Sequence, residues 1–212
     1  MEAKDTKELI LDAAESLFAA EGYHGTSVRA ITKEAGVNLA SISYHFGSKE
    51  LLLEALFEHR FGPLNRTRKE DISSVLKRAR EEGRTPDVKD ILEAFISPMF
   101  RDDSGQSCLG RLSTLVHLAH SGQDAVLMSA LVKTMKPVVD LLFKALSSAL
   151  PEVSPEDLRW KMHFFIGGFS HTIRISLMHG KGLKVPTMPK ATKREKLVDM
   201  MVSYFSAGME AG

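Results

Sequence analysis

Tyr44, His45 and Lys49 fall close together in the stretch GVNLASISYHFGSKELL, residues 36–52. A phenol, an imidazole and an ammonium can each donate to an anionic oxygen. The segment that leads into them, Asn38, Leu39, Ala40, Ser41 and Ser43, is largely small or polar. A helix made only to be solvated would expose Lys and Glu there. Short side chains instead let the backbone approach something bulky, and base edges in a major groove are such a surface. Thr26, Ser27 and Ser48 stand where helices are expected to start, and backbone N–H groups at helix N-termini attract anions. Together these residues could hold a phosphate backbone by grouped donors while a slim helix reads the groove.

Other reactive side chains are scattered. His117 and His120, at i and i+3, could both touch a metal, but neither Cys nor a further ligand completes a motif. There is no nucleophile–base motif, no phosphate-cradling glycine loop and no carboxylate–histidine metal motif. No catalytic residue, metal or cofactor is therefore expected. An enzyme using the C-terminal histidines, or a helical small-molecule binder without DNA affinity, stands as the rival reading. Arg174, in an apolar helix, needs an anion or carboxylate partner, which could be an acid of its own chain. The run from Arg66 to Arg84 holds seven cations against four acids and reads as a solvated helix face.

The elements that must position these groups are helical. Ile10, Ala13, Ala14, Leu17 and Phe18 form a stripe at helical spacing, with Asp5 and Glu8 as a capping box and Gly22 as the stop. Thr26 or Ser27 caps a second helix that Gly36 ends. Asn38 caps a third through about Phe46, and Ser48 caps a fourth. Ala30, Ile31, Ala35, Val37, Ile42 and Phe46 are spaced to face inward and fix the third helix, making a helix-turn-helix. Gly62-Pro63 is expected to break or kink the fourth helix. Thr85-Pro86 is expected to open the next, which reaches about Phe100. Helices follow over 107–121, 123–150 (with Pro137 inside), from Ser154 to about Gly180, and from about Thr192 to Ala207. The fold class is all-α, with no sheet.

The stretches ILDAAESLFAAEGYHGTSVRAITKEAGV and SYHFGSKELLLEAL resemble the DNA-binding domain of the TetR family of bacterial repressors. Phe18, Gly22, Tyr23, Thr26, Ile31, Ala35, Gly36, Val37, Tyr44, His45, Phe46, Lys49 and Leu52 carry the resemblance in order. It implies a three-helix DNA-binding head over residues 4–64 and a ligand-binding and dimerisation domain over 65–212. Carried onto this chain, Asn38, Leu39, Ala40 and Ser41 would lie near bases. Thr26, Tyr44, His45 and Lys49 would hold the backbone. Ser43 departs from the family's pattern, which often has a second aromatic there. The implied partners are double-stranded operator DNA, a second copy of the chain and a small apolar effector.

Beyond the head the resemblance thins. PLNRTRKEDISSVL, ILEAFISPMF and LRWKMHFFIGGFSHTI are similar to a TetR branch associated with fatty-acid or acyl-thioester metabolism. On that likeness Phe95, Met99, Leu115, Met128, Phe164 and Met178 are candidate pocket linings, with His117, His163, His171 or Arg174 as polar anchors. Residues 158–178 are apolar nearly all round, and such a helix must be covered on two sides. Leu158, Met162, Phe165, Phe169 and Thr172 make one line, and Ile166, Ile173 and Leu177 another. The dimer interface is expected to use Ile166, Gly167, Phe169, Ile173 and Leu177 with Val198, Met201 and Phe205.

Composition sets the limits. The 212 residues carry a net charge of +1, so no global field announces an anionic partner. The first 60 residues hold six basic and ten acidic side chains, so cations for DNA would have to be grouped. Cys108 is alone, which excludes an intramolecular disulfide and suits a reducing, cytoplasmic setting. No uninterrupted apolar run of about 18 residues occurs, so no membrane partner is expected.

Overall fold

Short side chains with oxygens set most of the helix starts. The computed structural model describes residues 5–101, 105–120, 124–180 and 193–211, with the backbone alone over 105–112 and 177–180. Among these residues there is no strand. The chain order is α1 (Thr6–Gly25), α2 (Val28–Ala35), α3 (Ala40–His45), α4 (Lys49–Glu81) and α5 (Val88–Ile96) with a 3-10 turn (Ser97–Phe100). It continues through α6 (Gly105–His120), α7 (Ala125–Ala149), α8 (Pro155–Gly180) and α9 (Arg194–Glu210). Ser27 accepts from the Ala30 N–H at 3.0 Å, Asn38 from Ala40 at 3.0 Å, Ser48 from Leu51 at 3.2 Å and Ser154 from Asp157 at 3.1 Å. Each bond satisfies a donor that the first helical turn leaves open.

Three expectations about helix ends are corrected. Asp5 flanks α1 without a side-chain cap bond, so the Asp5–Glu8 capping box does not form. α5 is capped by Asp87, which accepts from the Lys89 N–H at 2.7 Å, and Thr85-Pro86 only lead into it. Gly62-Pro63 does not break α4, a single helix of 33 residues. A proline inside a helix forfeits one backbone bond and costs about 3 kcal/mol. Burial of Leu52, Leu53, Leu56, Phe57 and Phe61 before it, and of Ile72, Val75 and Ala79 after it, outweighs that loss. Gly22 does end the regular part of α1, at φ +75°, and a short turn carries the chain on to Gly25.

The residues gather into two compact units: Met1–Pro63 with Ser107–Met135, and Leu64–Gln106 with Lys136–Gly212. In the first, Ile10, Ala14, Phe18, Ile31, Ile42, Leu52 and Phe57 are fully or almost fully buried. A paired cluster braces this core. Arg60 reaches Asp12 at 2.5 Å and Glu15 at 2.7 Å, and Glu15 is wholly buried. Lys133 pairs with Glu54. In the second unit α5 packs on α9, and Ile91, Leu92, Phe95, Leu142, Leu146, Leu158 and Phe165 are buried. Gly168 lets α9 come close: a Cβ there would lie 3.1 Å from two atoms of the Phe205 ring.

Candidate functional site

α3 is a six-residue helix held between two glycines that only an unsubstituted backbone suits. Gly36 and Gly47 have φ +66° and +85°, a region where a Cβ would clash. Gly36 and Val37 donate back to the carbonyls of Lys33 and Thr32 at 3.2 and 3.0 Å, which fixes the turn after α2. Ile42 is the one buried residue of α3, 1% exposed, and Ile31 of the preceding helix is fully buried. Every other α3 side chain is exposed or half-buried.

The residues expected to face outward differ in exposure. Asn38, Ala40 and Ser43 are exposed, Leu39 is 46% exposed, and Ser41, His45 and Lys49 are half-buried. Tyr44 is 85% exposed and makes an edge contact with the His45 ring, centroids 4.9 Å apart. It does not pack on α1. Lys49 sits with its ammonium 4.1 Å above the Tyr23 ring, which tethers the start of α4. Thr26 is placed differently from expectation. Its side chain is buried and its hydroxyl donates to the Gly22 carbonyl at 2.8 Å, while its N–H bonds to Tyr23. It braces the turn before α2; Ser27, exposed beside it, marks the open helix N-terminus.

The candidate pocket residues are drawn from both units. Leu115, His117 and Met128 belong to the first unit, whereas Phe95, Met99, His163, Phe164, His171 and Arg174 belong to the second. Within the second unit, Phe95 is buried, Met99 and Arg174 are half-buried, and His163, Phe164 and His171 lie on the exposed side of α8. Met178 and Leu177 lie outside the residues whose side chains are described. His117 and His120 are exposed, His120 bonding within its own helix to Val116. No group of three or more His, Cys, Asp or Glu suited to a metal occurs among the described residues.

Of the residues expected at a dimer interface, Phe169, Ile173, Val198 and Met201 are buried in the single chain. Ile166 and Phe205 are half-buried, and Gly167 is exposed with open space around it. The exposed apolar line of α8 and α9 is Trp160, Phe164, Met200 and Tyr204, at 59%, 69%, 52% and 76% exposure. Trp160 and Phe164 stack, centroids 6.3 Å apart. A groove of 780 Å³ runs beside them, walled by Phe164, Phe165, Thr172, Leu197, Met201 and Tyr204. Their i, i+4 spacing was visible in the sequence; which of two apolar lines would be left uncovered was not.

Sequence reasoning also missed Arg68. Assigned to a solvated face, it is instead 1% exposed, its Nε donating to the Phe95 carbonyl at 2.8 Å. Burial pushes its guanidinium down to about 9, still protonated at neutral pH. The signal was its phase: Phe61, Asn65, Arg68, Ile72, Val75 and Ala79 alternate by four and three along one buried seam of α4.

With this geometry in hand, comparison with known proteins is direct. The family model for bacterial regulatory proteins, tetR family, matches residues 10–56, and the tetracyclin repressor-like C-terminal domain matches residues 93–208. The probable HTH-type transcriptional regulator YttP of Bacillus subtilis is 38% identical over 87 residues, which cover 41% of this chain and 42% of that relative, less than half its length. Among solved structures, FadR of Bacillus subtilis in complex with stearoyl-CoA superposes with a TM-score of 0.66 at 21% identity, over 95% of this chain and 98% of FadR. The fatty acid degradation regulator FadR of Bacillus halodurans gives 0.64 at 20% identity, over the full length of both. These structural likenesses speak for the fold. No helix among the described residues is long and apolar enough to cross a membrane. A matched head, and a matched C-terminal domain that alone spans more than half of the residues, identify the chain as a member of the TetR family.

Proposed function

We propose that the chain is a transcriptional regulator that binds a palindromic operator as a homodimer and leaves it when a small apolar effector binds. The head, residues 4–64, reads DNA; residues 65–212 bind the effector and the second copy. The exposure of Tyr44 on a helix pinned by Ile42 carries the reading. A large aromatic held out on a small, polar helix suits a backbone contact beside a groove and serves no packing purpose. Ser27, Tyr44, His45 and Lys49 hold phosphates, while Asn38, Leu39, Ala40 and Ser41 face bases and Ser43 leaves room. Part of the head's acidic excess is engaged by cations of the chain itself, Asp12 and Glu15 by Arg60 and Glu54 by Lys133.

Dimerisation uses the exposed line of α8 and α9. Contiguous large apolar side chains at a surface mark an interaction site, and Trp160, Phe164, Gly167, Met200 and Tyr204 are its centre. Two heads about 34–36 Å apart then meet successive major grooves. The effector acts by binding one head spacing better than the other, since only differential affinity moves such a balance. FadR of Bacillus subtilis holds stearoyl-CoA; carried to this chain, that supports a fatty acid or acyl thioester as effector, acting in the cytoplasm.

The test is selection from random duplex DNA at two salt concentrations. Enrichment of an inverted repeat with half-sites about one helical turn apart, and weaker binding at higher salt, are expected. A pool that stays random at low salt would reject the regulatory role.

A further inference from the structure

Arg68 has more donors than its surroundings use. Its Nε bonds to the Phe95 carbonyl, and its guanidinium carbon lies 4.0 Å from the centre of the Phe95 ring and 6.0 Å from that of Phe169. Nη2 is buried and meets no acceptor. Among the described residues no carboxylate pairs with Arg68; Asp71, one turn along α4, is held by Arg101 at 2.7 Å. A charge taken out of water without a counter-charge costs several kcal/mol. Cation–π contact with a ring offsets only about 2 kcal/mol of that. A side chain needed only to fill the seam would be Met or Leu, so the arrangement is half of an anion site.

The side chains found beside the guanidinium are aromatic. Phe165 contacts Phe95 and Phe169, centroids 5.6 and 5.8 Å apart, so the rings beside the guanidinium belong to one buried aromatic cluster. We infer that Arg68 anchors the carboxylate of an amphipathic organic acid whose apolar body lies along Phe95, Phe165 and Phe169. One planar cation matches one planar, singly charged carboxylate. A phosphate dianion would leave excess negative charge buried, and a thioester carbonyl would leave the cation unneutralised. The inference rests on the effector reading above and narrows it from an acyl group in general to the free acid.

The experiment is calorimetric titration of the full chain with decanoate, 1-decanol and decanoyl-CoA, repeated on Arg68→Met, with a thermal melt to check folding. Decanoate is expected to bind about 10- to 100-fold tighter than decanol, the range of a charge-assisted hydrogen bond, and tighter than the thioester. In R68M the two decyl compounds bind alike. Equal binding of acid and alcohol by the unaltered chain, no binding of decanoate, tighter binding of the thioester, or an acid preference that survives in R68M would each overturn it. The comparison on the unaltered chain stands whatever R68M does. The same preparation is tested on the selected operator: acid preference without DNA binding would sink the regulatory reading and leave Arg68 its role, and DNA binding without acid preference would do the reverse.

Discussion

Arg60 and Arg68 are eight residues apart on α4 and have opposite surroundings. Arg60, in the unit that holds the head, meets two carboxylates, one of them fully buried. Arg68, in the other unit, is more deeply buried and meets one backbone carbonyl and aromatic faces. Surfaces differ in the same sense. Around α3 the exposed residues are mostly small or polar, with Leu39 and Tyr44 as the larger ones, whereas α8 and α9 expose Trp160, Phe164, Met200 and Tyr204 as neighbours. The head is complete as a folded object and offers a shaped surface. The C-terminal unit is unfinished in two respects, a cation without an anion and an apolar face without a cover. A reader of DNA and a receiver of partners would differ in this way.

The sharpest way to break the contrast is to remove each arginine in turn. Arg60→Met strands Glu15 in the core and should lower stability by about 3–5 kcal/mol, whereas Arg68→Met removes an unpaired charge and should leave the ligand-free protein as stable or more so. Urea unfolding midpoints decide this; equal losses would mean that Arg68 has a partner in its own chain. Next in size is Phe164→Glu. A charge at the centre of the exposed apolar line should weaken self-association by about 2–4 kcal/mol, read as dissociation to monomer by sedimentation, with the helical content kept. A dimer unchanged by F164E would move the interface elsewhere. The smallest effect belongs to the turn before α3. Gly36→Val forces a β-branched residue to φ +66° and should cost about 1–2 kcal/mol, seen as a lower melting temperature with parallel loss of operator binding. No loss would mean the turn relaxes freely.

How much of this was legible in the sequence depended on whether the deciding interaction was local. Ser27, Asn38 and Ser48 as caps, and Gly36 as a stop, are bonds within a few residues, and each forms as read. Pro63 also has a local effect, yet packing on both sides of it decided that α4 continues. In α8 the apolar line Leu158, Met162, Phe165 and Phe169 is buried as its spacing suggested. The sequence could not say whether a second line was core or cover, because that depends on α5 and α9, far away in the chain. Composition misled at Arg68: a run of basic residues hid one whose helical phase was that of the core.

The central claim is that α3 reads DNA, and operator retardation by Tyr44→Ala tests it most directly. The account expects affinity for the selected fragment to fall by about 1–3 kcal/mol, with dimerisation and melting temperature unchanged, because an 85% exposed ring contributes nothing to packing. Unaltered retardation of the same fragment by the folded, dimeric variant would contradict it.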